Sequence, residues 1–389
     1  MFTTWVLMRA LTSPFSNVLI VPEKPSDINK RWFQTGLDEA SPTFPNGDCQ
    51  QEQGNWRVTS LTTAFQSSLS KGSNFLGELI PIRVTWDQGG LEQTGEFLVK
   101  IPPRNEPFRT WSAVARSHEK EYTFYKKILP ELQFLILSRC PGRIALNVPT
   151  LTFGRMYSPE KVVLVFEDLR CSGFKMANKF TGLTVDETEQ ALITLAAYHG
   201  TCLAWIQTLR QKGISLGELH PILTHFFHDT MMKIRPDSLT NQLEFLIPAV
   251  KRHEGMEVIR HGDCWTNNLL FKYDATGTRM AFLPTDSLND LHGFTQSLAS
   301  LSLRKSRRSS VHLKEDYTKA LLKGLTIACI ALPTTLSYKD YSDSSHSKTY
   351  NQEKTREHFK SVAETAGDTV HTRLFNIAEE MDEAGIFDL

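Results

Sequence analysis

Short apolar runs broken by single polar residues mark strands in the first half of the chain. Leu79-Ile80-Pro81-Ile82-Arg83-Val84 and Glu96-Phe97-Leu98-Val99-Lys100 each have this pattern, and both stretches are rich in β-branched and aromatic residues. A third run, Lys161-Val162-Val163-Leu164-Val165-Phe166, ends in Glu167-Asp168-Leu169 and reads as a buried strand with a polar exit. Between them, Ser117 to Leu129 places Phe124, Tyr125, Ile128 and Leu129 on one helical face, and Pro130 is expected to stop that helix. Glu121 lies three and four residues before Phe124 and Tyr125 and shares their edge, whereas Glu119 points elsewhere.

The second half reads as mainly helical. Thr184-Val185-Asp186-Glu187 is a capping box. It opens a helix whose apolar face runs through Leu192, Leu195, Ala196, His199, Leu203 and Ile206. Further helices are expected within Leu216–Ile234, Leu239–Arg252 and Thr355–Glu383, and an exposed loop at Tyr338–Tyr350. Residues 1–55 form an N-terminal arm, loose over the polar, Pro-containing stretch Pro22 to Gly54. No internal repeat is visible.

Candidate chemistry sits in His261-Gly262-Asp263-Cys264-Trp265-Thr266-Asn267-Asn268. An Asp at the third position can orient a hydroxyl and take its proton, and an Asn five residues later can reach a nucleotide-bound Mg²⁺. Asp and Asn at that spacing also occur by accident, so the order of the upstream elements decides. Lys100 ends a strand, where a cation for nucleotide phosphates is needed. Gly72-Ser73-Asn74-Phe75 precedes the Leu79 strand as a glycine turn that lets backbone approach phosphates, although alone it reads as an ordinary hairpin turn. Glu121 is the expected partner of Lys100. Without that lysine, both Glu119 and Glu121 would be solvated helix charges. The exit of the third strand, Phe166, Glu167 and Leu169, offers backbone to an adenine edge, or is simply the end of a core strand.

In this order the motifs resemble the ecdysteroid-kinase-like and CHK-type small-molecule kinases, relatives of the aminoglycoside and choline kinases. The resemblance rests on Gly72–Phe75, Phe97–Lys100, Glu121–Tyr125, Phe166–Leu169, Cys171–Phe174, Leu195–Gly200 and His261–Asn268, over roughly residues 60 to 290. It implies an α+β, two-lobed protein-kinase-like fold with a small β-rich N-lobe and a larger, mainly helical C-lobe. The implied boundaries are 56–169 for the N-lobe with its hinge and 170–389 for the C-lobe. It also implies ATP- and Mg²⁺-dependent phosphorylation of a small-molecule hydroxyl, with Asp263 as the catalytic carboxylate.

The chain departs from the family where a second metal-binding Asp is expected. The strand there reads Arg279-Met280-Ala281-Phe282-Leu283-Pro284-Thr285-Asp286, and the family's aromatic–Gln continuation is absent. Pro284 cannot donate to a sheet ladder. Asp286 is the metal candidate beside Asn268, with Asp290 as the fallback. Residues 287–312 depart further from the family pattern and include the basic run Arg304-Lys305-Ser306-Arg307-Arg308, read as an exposed loop.

Composition narrows the class. Forty-three basic residues balance 43 acidic ones, which argues against nucleic acid or a membrane surface as the main partner. No stretch is long and apolar enough to span a bilayer. The N-terminus, interrupted by Arg9 and Pro14, does not read as a signal peptide. Six cysteines without metal spacing fit a reduced, cytoplasmic protein, taken as a monomer. Cys264 reads as a small loop residue, Trp265 as packing or part of a substrate wall, His261 as a brace for the loop and His199 as a core histidine. Three functions compete: a kinase acting on an ecdysteroid, sterol-like or xenobiotic alcohol; a pseudokinase that binds nucleotide or ligand without turnover; and an interaction protein on a kinase-like scaffold.

Overall fold

The computed structural model describes residues 19–40, 56–63, 77–104, 108–178, 182–224, 258–259, 266–273 and 279–282, with isolated helical positions between 372 and 382. The chain divides into two compact units. One joins Met1–Ser67, Leu79–Ile101 and Thr150–Asp168; the other joins Ser68–Glu78, Pro102–Pro149 and Leu169–Leu389. The architecture is α+β, with the larger sheet in the first unit and most helical residues in the second.

The first unit is a five-stranded sheet. Its strands are β1 (Trp56–Thr63), β2 (Glu78–Gln88), β3 (Leu91–Ile101), β4 (Leu151–Ser158) and β5 (Lys161–Glu167), in the order β1-β2-β3-β5-β4. Gly89 and Gly90 turn β2 into β3 with φ of +64° and +86°, a left-handed pair that suits a two-residue hairpin. The Asp87 carboxylate closes the turn by accepting from the Gly90 amide at 3.1 Å.

Helix α1 (Lys30–Ala40) covers one face of this sheet. Trp32 and Phe33 are buried in the same cluster as Val99, Ile101, Phe153, Val163 and Val165. The Phe33 ring lies 5.1 Å from both Phe97 and Phe153. Gln34 stitches helix to strand, donating to the Trp56 carbonyl at 2.9 Å and accepting from the Val58 amide at 2.8 Å. At Gly36 the helix comes so close that a Cβ would meet the Phe153 ring at 2.2 Å. The loose arm expected over Pro22–Gly54 is therefore corrected for residues 22–40, while 41–54 lie outside the described residues. The polar composition of the stretch hid a helix with one aromatic face.

In the second unit, α2 (Phe108–Ala115) runs into α3 (Ser117–Thr123) through Arg116, whose φ of 52° is the one positive value at a non-glycine among the described residues. The Arg116 guanidinium grips the Glu119 carboxylate with two bonds, at 2.8 and 2.7 Å. The expected stop at Pro130 does not occur. The chain widens into a π turn, Phe124–Ile128, and continues as α4 (Leu129–Arg139). The Leu129 amide reaches back five residues to the Phe124 carbonyl, and Pro130 falls in the first turn of α4, where a missing N–H is tolerated.

The long helix α5 (Val185–Gln211) opens on the expected capping box: the Glu187 amide donates to Thr184 Oγ1 at 3.3 Å, and the Thr184 amide to Glu187 Oε2 at 2.7 Å. Leu195, His199, Leu203 and Ile206 are buried, as the periodicity requires, and Leu192 and Ala196 are half-buried. Helix α4 packs on α5 through Trp205 Nε1–H donating to Glu131 Oε2 at 2.8 Å and Arg139 donating to Thr208 at 3.2 Å. Pro102–Pro149 falls in the second unit with these helices, whereas the resemblance implies 56–169 and 170–389. The helix expected from Leu216 lasts one turn, Leu216–Leu219, because Pro221 keeps the residue before it out of the helical region: His220 has φ −135° and ψ 77°. The rest of Leu216–Ile234, beyond a 3₁₀ turn at Pro221–Thr224, and all of Leu239–Arg252 and Tyr338–Tyr350 lie outside the described residues.

His220 is buried with its ring 6.0 Å from Trp205. Burial holds its imidazole below the ordinary 6.5; Lys127 adds to that and Glu131 opposes it. The folded chain thus keeps the ring neutral where the unfolded chain would protonate it. Its contribution to stability is complete above pH 6.5 and is lost as pH falls through the lowered folded value. His220→Gln is expected to flatten that part of the pH dependence of urea unfolding. An unchanged slope would remove His220 as its source.

Candidate functional site

Strand pairing decides which candidate side chains share a surface. On β3 and β5, Lys100 pairs with Leu164, Leu98 with Phe166, and Phe97 with Glu167. Side chains alternate with period two, so Lys100 and Phe166 stand on one face and Phe97 and Glu167 on the other. Val99 and Ile101 pack with α1, which puts Lys100 on the face that α1 leaves open. Lys100 is buried there.

At the end of β5 the backbone is partly committed. The Glu167 amide donates to the Thr150 carbonyl at 3.1 Å and the Asp168 amide to the Glu96 carbonyl at 2.9 Å. Glu167 Oε1 accepts from the Thr150 amide at 2.9 Å, so this carboxylate closes the sheet edge. The next amide, that of Leu169, opens a 3₁₀ turn, Leu169–Ser172.

In the second unit Glu121 is buried on α3, while Glu119 is turned to Arg116, as the helical spacing anticipates. The fully buried Lys120 precedes Glu121. Burial, reinforced by Arg116 and opposed by Glu119, pulls its ammonium down to about 8. Before α3, Ser112 Oγ lies 2.9 Å from Ser117 Oγ and 2.8 Å from His118 Nδ1, a buried polar knot that the sequence does not single out.

Asn268 is buried in a 3₁₀ turn, Thr266–Asn268. It leads into β7 (Leu270–Tyr273), the middle strand of a small antiparallel sheet between β6 (Lys175–Met176) and β8 (Arg279–Phe282). Strand β8 ends two residues before Pro284. Asp263, with His261, Cys264 and Trp265 around it, lies outside the described residues, as do Gly72–Phe75, Asp286, Asp290 and Arg304–Arg308.

Both flanks of the Asp263 segment lie against α5. Upstream, the buried Ile259 has its backbone beside the Cys202 thiol of α5, which burial pushes up to about 12. Downstream, Ala191 and Leu195 form one buried cluster with Leu269 and Phe271. The Tyr273 hydroxyl donates to Glu187 Oε1 at 2.6 Å. The capping box flags Glu187 in the sequence, but nothing local announces a partner 86 residues away. Among the described residues, no helix is long and apolar enough to cross a membrane.

The profile of the ecdysteroid kinase-like family matches residues 71–252 and 227–286. Similar solved structures include the GDP complex of wild-type aminoglycoside 2'-phosphotransferase-IIIa, 13% identical with a TM-score of 0.39, over 90% of this chain and 99% of that one. The GDP complex of a point mutant of that enzyme gives 12% identity and a TM-score of 0.37, over 92% and 98%. No curated protein matches the chain.

Proposed function

We propose that the chain, which belongs to the ecdysteroid kinase-like family, transfers the γ-phosphoryl group of ATP to a hydroxyl of a small molecule. The acceptor is an ecdysteroid, a sterol-like alcohol or a xenobiotic alcohol. The observation that carries the reading is the hold of α5 on Leu269–Tyr273, downstream of the Asp263 segment, with the buried Ile259 beside the same helix upstream. A loop whose ends both lie against one helix suits chemistry that depends on positioning.

In this reading Asp263 accepts the proton of the acceptor hydroxyl. The freed oxygen forms a bond to the γ-phosphorus, the bond from that phosphorus to the β–γ bridging oxygen breaks, and ADP leaves with the electron pair. Lys100, braced by Glu121, holds the phosphates under Gly72, Ser73, Asn74 and Phe75. Phe166 stands on the Lys100 face to flank adenine. The amide that reads the adenine edge is assigned to Leu169, since those of Glu167 and Asp168 are engaged.

Asn268 and Asp286 would hold Mg²⁺. A carboxamide oxygen from a buried turn and a carboxylate are the hard oxygen donors that this ion takes. Bound there, Mg²⁺ supplies charge neutralisation on the phosphates. The chain works as a cytoplasmic monomer, without nucleic acid or membrane.

Melting with ATP, with and without Mg²⁺, tests the reading. Ligand that binds only the folded state raises the melting temperature as its concentration passes its dissociation constant. Wild type is expected to show a Mg²⁺-dependent shift, blunted by both Asn268→Ala and Asp286→Ala. Loss in Asn268→Ala alone would overturn the assignment of Asp286. A shift indifferent to Mg²⁺ would favour the second reading, a nucleotide-binding pseudokinase. The observation behind that alternative is Pro284-Thr285 ahead of Asp286 in place of an unbroken strand.

A further inference from the structure

We infer that the hydrogen bond from Tyr273 to Glu187 sets the position of Asn268, which makes Tyr273 a positioning residue for the metal–nucleotide. The inference rests on the kinase reading of Asn268. Glu187 is a junction: its carboxylate accepts from the Thr184 amide at 2.7 Å, from the Thr184 hydroxyl at 2.8 Å and from the Tyr273 hydroxyl at 2.6 Å. One side chain thus closes the first turn of α5 and holds the far end of β7.

Geometry makes that second task matter. β7 is only four residues long, and Asn268 lies two residues before it. Tyr273 is paired with Arg279 at the loop end of the β7–β8 hairpin, the end away from Asn268. The other end of β7 is fixed by Leu269 and Phe271 against Ala191 and Leu195. With both ends pinned to one helix, the strand cannot slide along or pivot on α5. Cut the Tyr273 bond and the strand keeps its ladder to β6 and β8 but loses a directional tie to α5, where the apolar contacts of Leu269 and Phe271 are non-directional. A ligand oxygen a fraction of an ångström out of place costs metal affinity, as happens when groups that orient metal ligands are removed.

The Tyr273 side chain is partly exposed, so Tyr273→Phe keeps the ring, loses one hydroxyl and should fold. Two measurements separate the possibilities. Hydrogen exchange of the ligand-free protein is expected to quicken at the amides of Leu269–Lys272. In melting experiments with ADP and MgCl₂, the Mg²⁺ concentration giving half of the shift is expected to rise about tenfold, the low end for such supporting groups.

Glu187→Gln retains a donor and an acceptor, one for Tyr273 and one for the Thr184 amide, and is expected to stay close to wild type in both. Exchange and Mg²⁺ midpoint both unchanged in Tyr273→Phe would overturn the inference. Faster exchange with an unchanged midpoint would overturn its metal half. A wild-type chain with no Mg²⁺-dependent shift would overturn the kinase reading and that half with it, while exchange would still decide whether Tyr273 tethers β7.

Discussion

Asp263→Asn is expected to lower turnover by about 10²–10⁴-fold, the usual contribution of a positioned general acid or base. Asparagine matches the carboxylate in shape and can still accept a hydrogen bond, but it cannot take the hydroxyl proton at neutral pH. The substitution falls between two buried points, Ile259 and Asn268, and keeps the shape of the side chain, so the fold should be retained. ADP release at saturating ATP and acceptor, with an ecdysteroid as the first alcohol to try, measures the effect. Melting with Mg²⁺-ATP should be nearly unchanged, which separates lost chemistry from lost binding. Full activity in the variant would remove Asp263 from the mechanism, and equal activity without any acceptor would point to simple hydrolysis.

Phe33→Ala should cost about 3–5 kcal/mol of unfolding free energy, as is typical when a buried aromatic ring is deleted from a core. The ring is 1% exposed and touches Phe97 and Phe153 at once. Little around it can close the gap, since Gly36 already brings the helix against Phe153. Urea unfolding, followed by tryptophan emission, reads the loss. Trp32 and Trp86 report on this unit, because both pack in or against its core. A cost under about 1 kcal/mol would mean that α1 is dispensable to the sheet, contrary to its burial.

The elements that carry several candidate residues are legible in the sequence because their signals are local. Lys100 and Phe166 could be placed on strands from apolar runs, and Glu121 was separated from Glu119 by helical phase alone. The capping box marked the start of α5 because both partners lie within one turn. What escaped was long-range or masked by composition. Trp32, Phe33 and Leu37 form an apolar face within a segment whose Pro, Asp and Asn residues read as loop. Pro130 reads as a stop because it breaks the regular hydrogen-bond ladder of a helix, and a π turn is not visible in periodicity. The bond between Glu187 and Tyr273 joins two segments that share no local pattern.

The π turn at Phe124–Ile128 has a consequence for the phase of everything after it. One residue in an α-helix advances the direction of a side chain by about 100°. The wide turn holds one residue more than a regular turn, so α4 is rotated by about that angle relative to a continuation of α3. That rotation belongs to the packing: Phe124 and Ile128 within the turn, and Leu132 and Ile136 after it, are all buried. Removing one residue there would leave a smoother helix with the wrong face inward, turning Leu132 away and carrying Glu131 off the Trp205 indole. The chain length through this turn is therefore as constrained as the side chains around it.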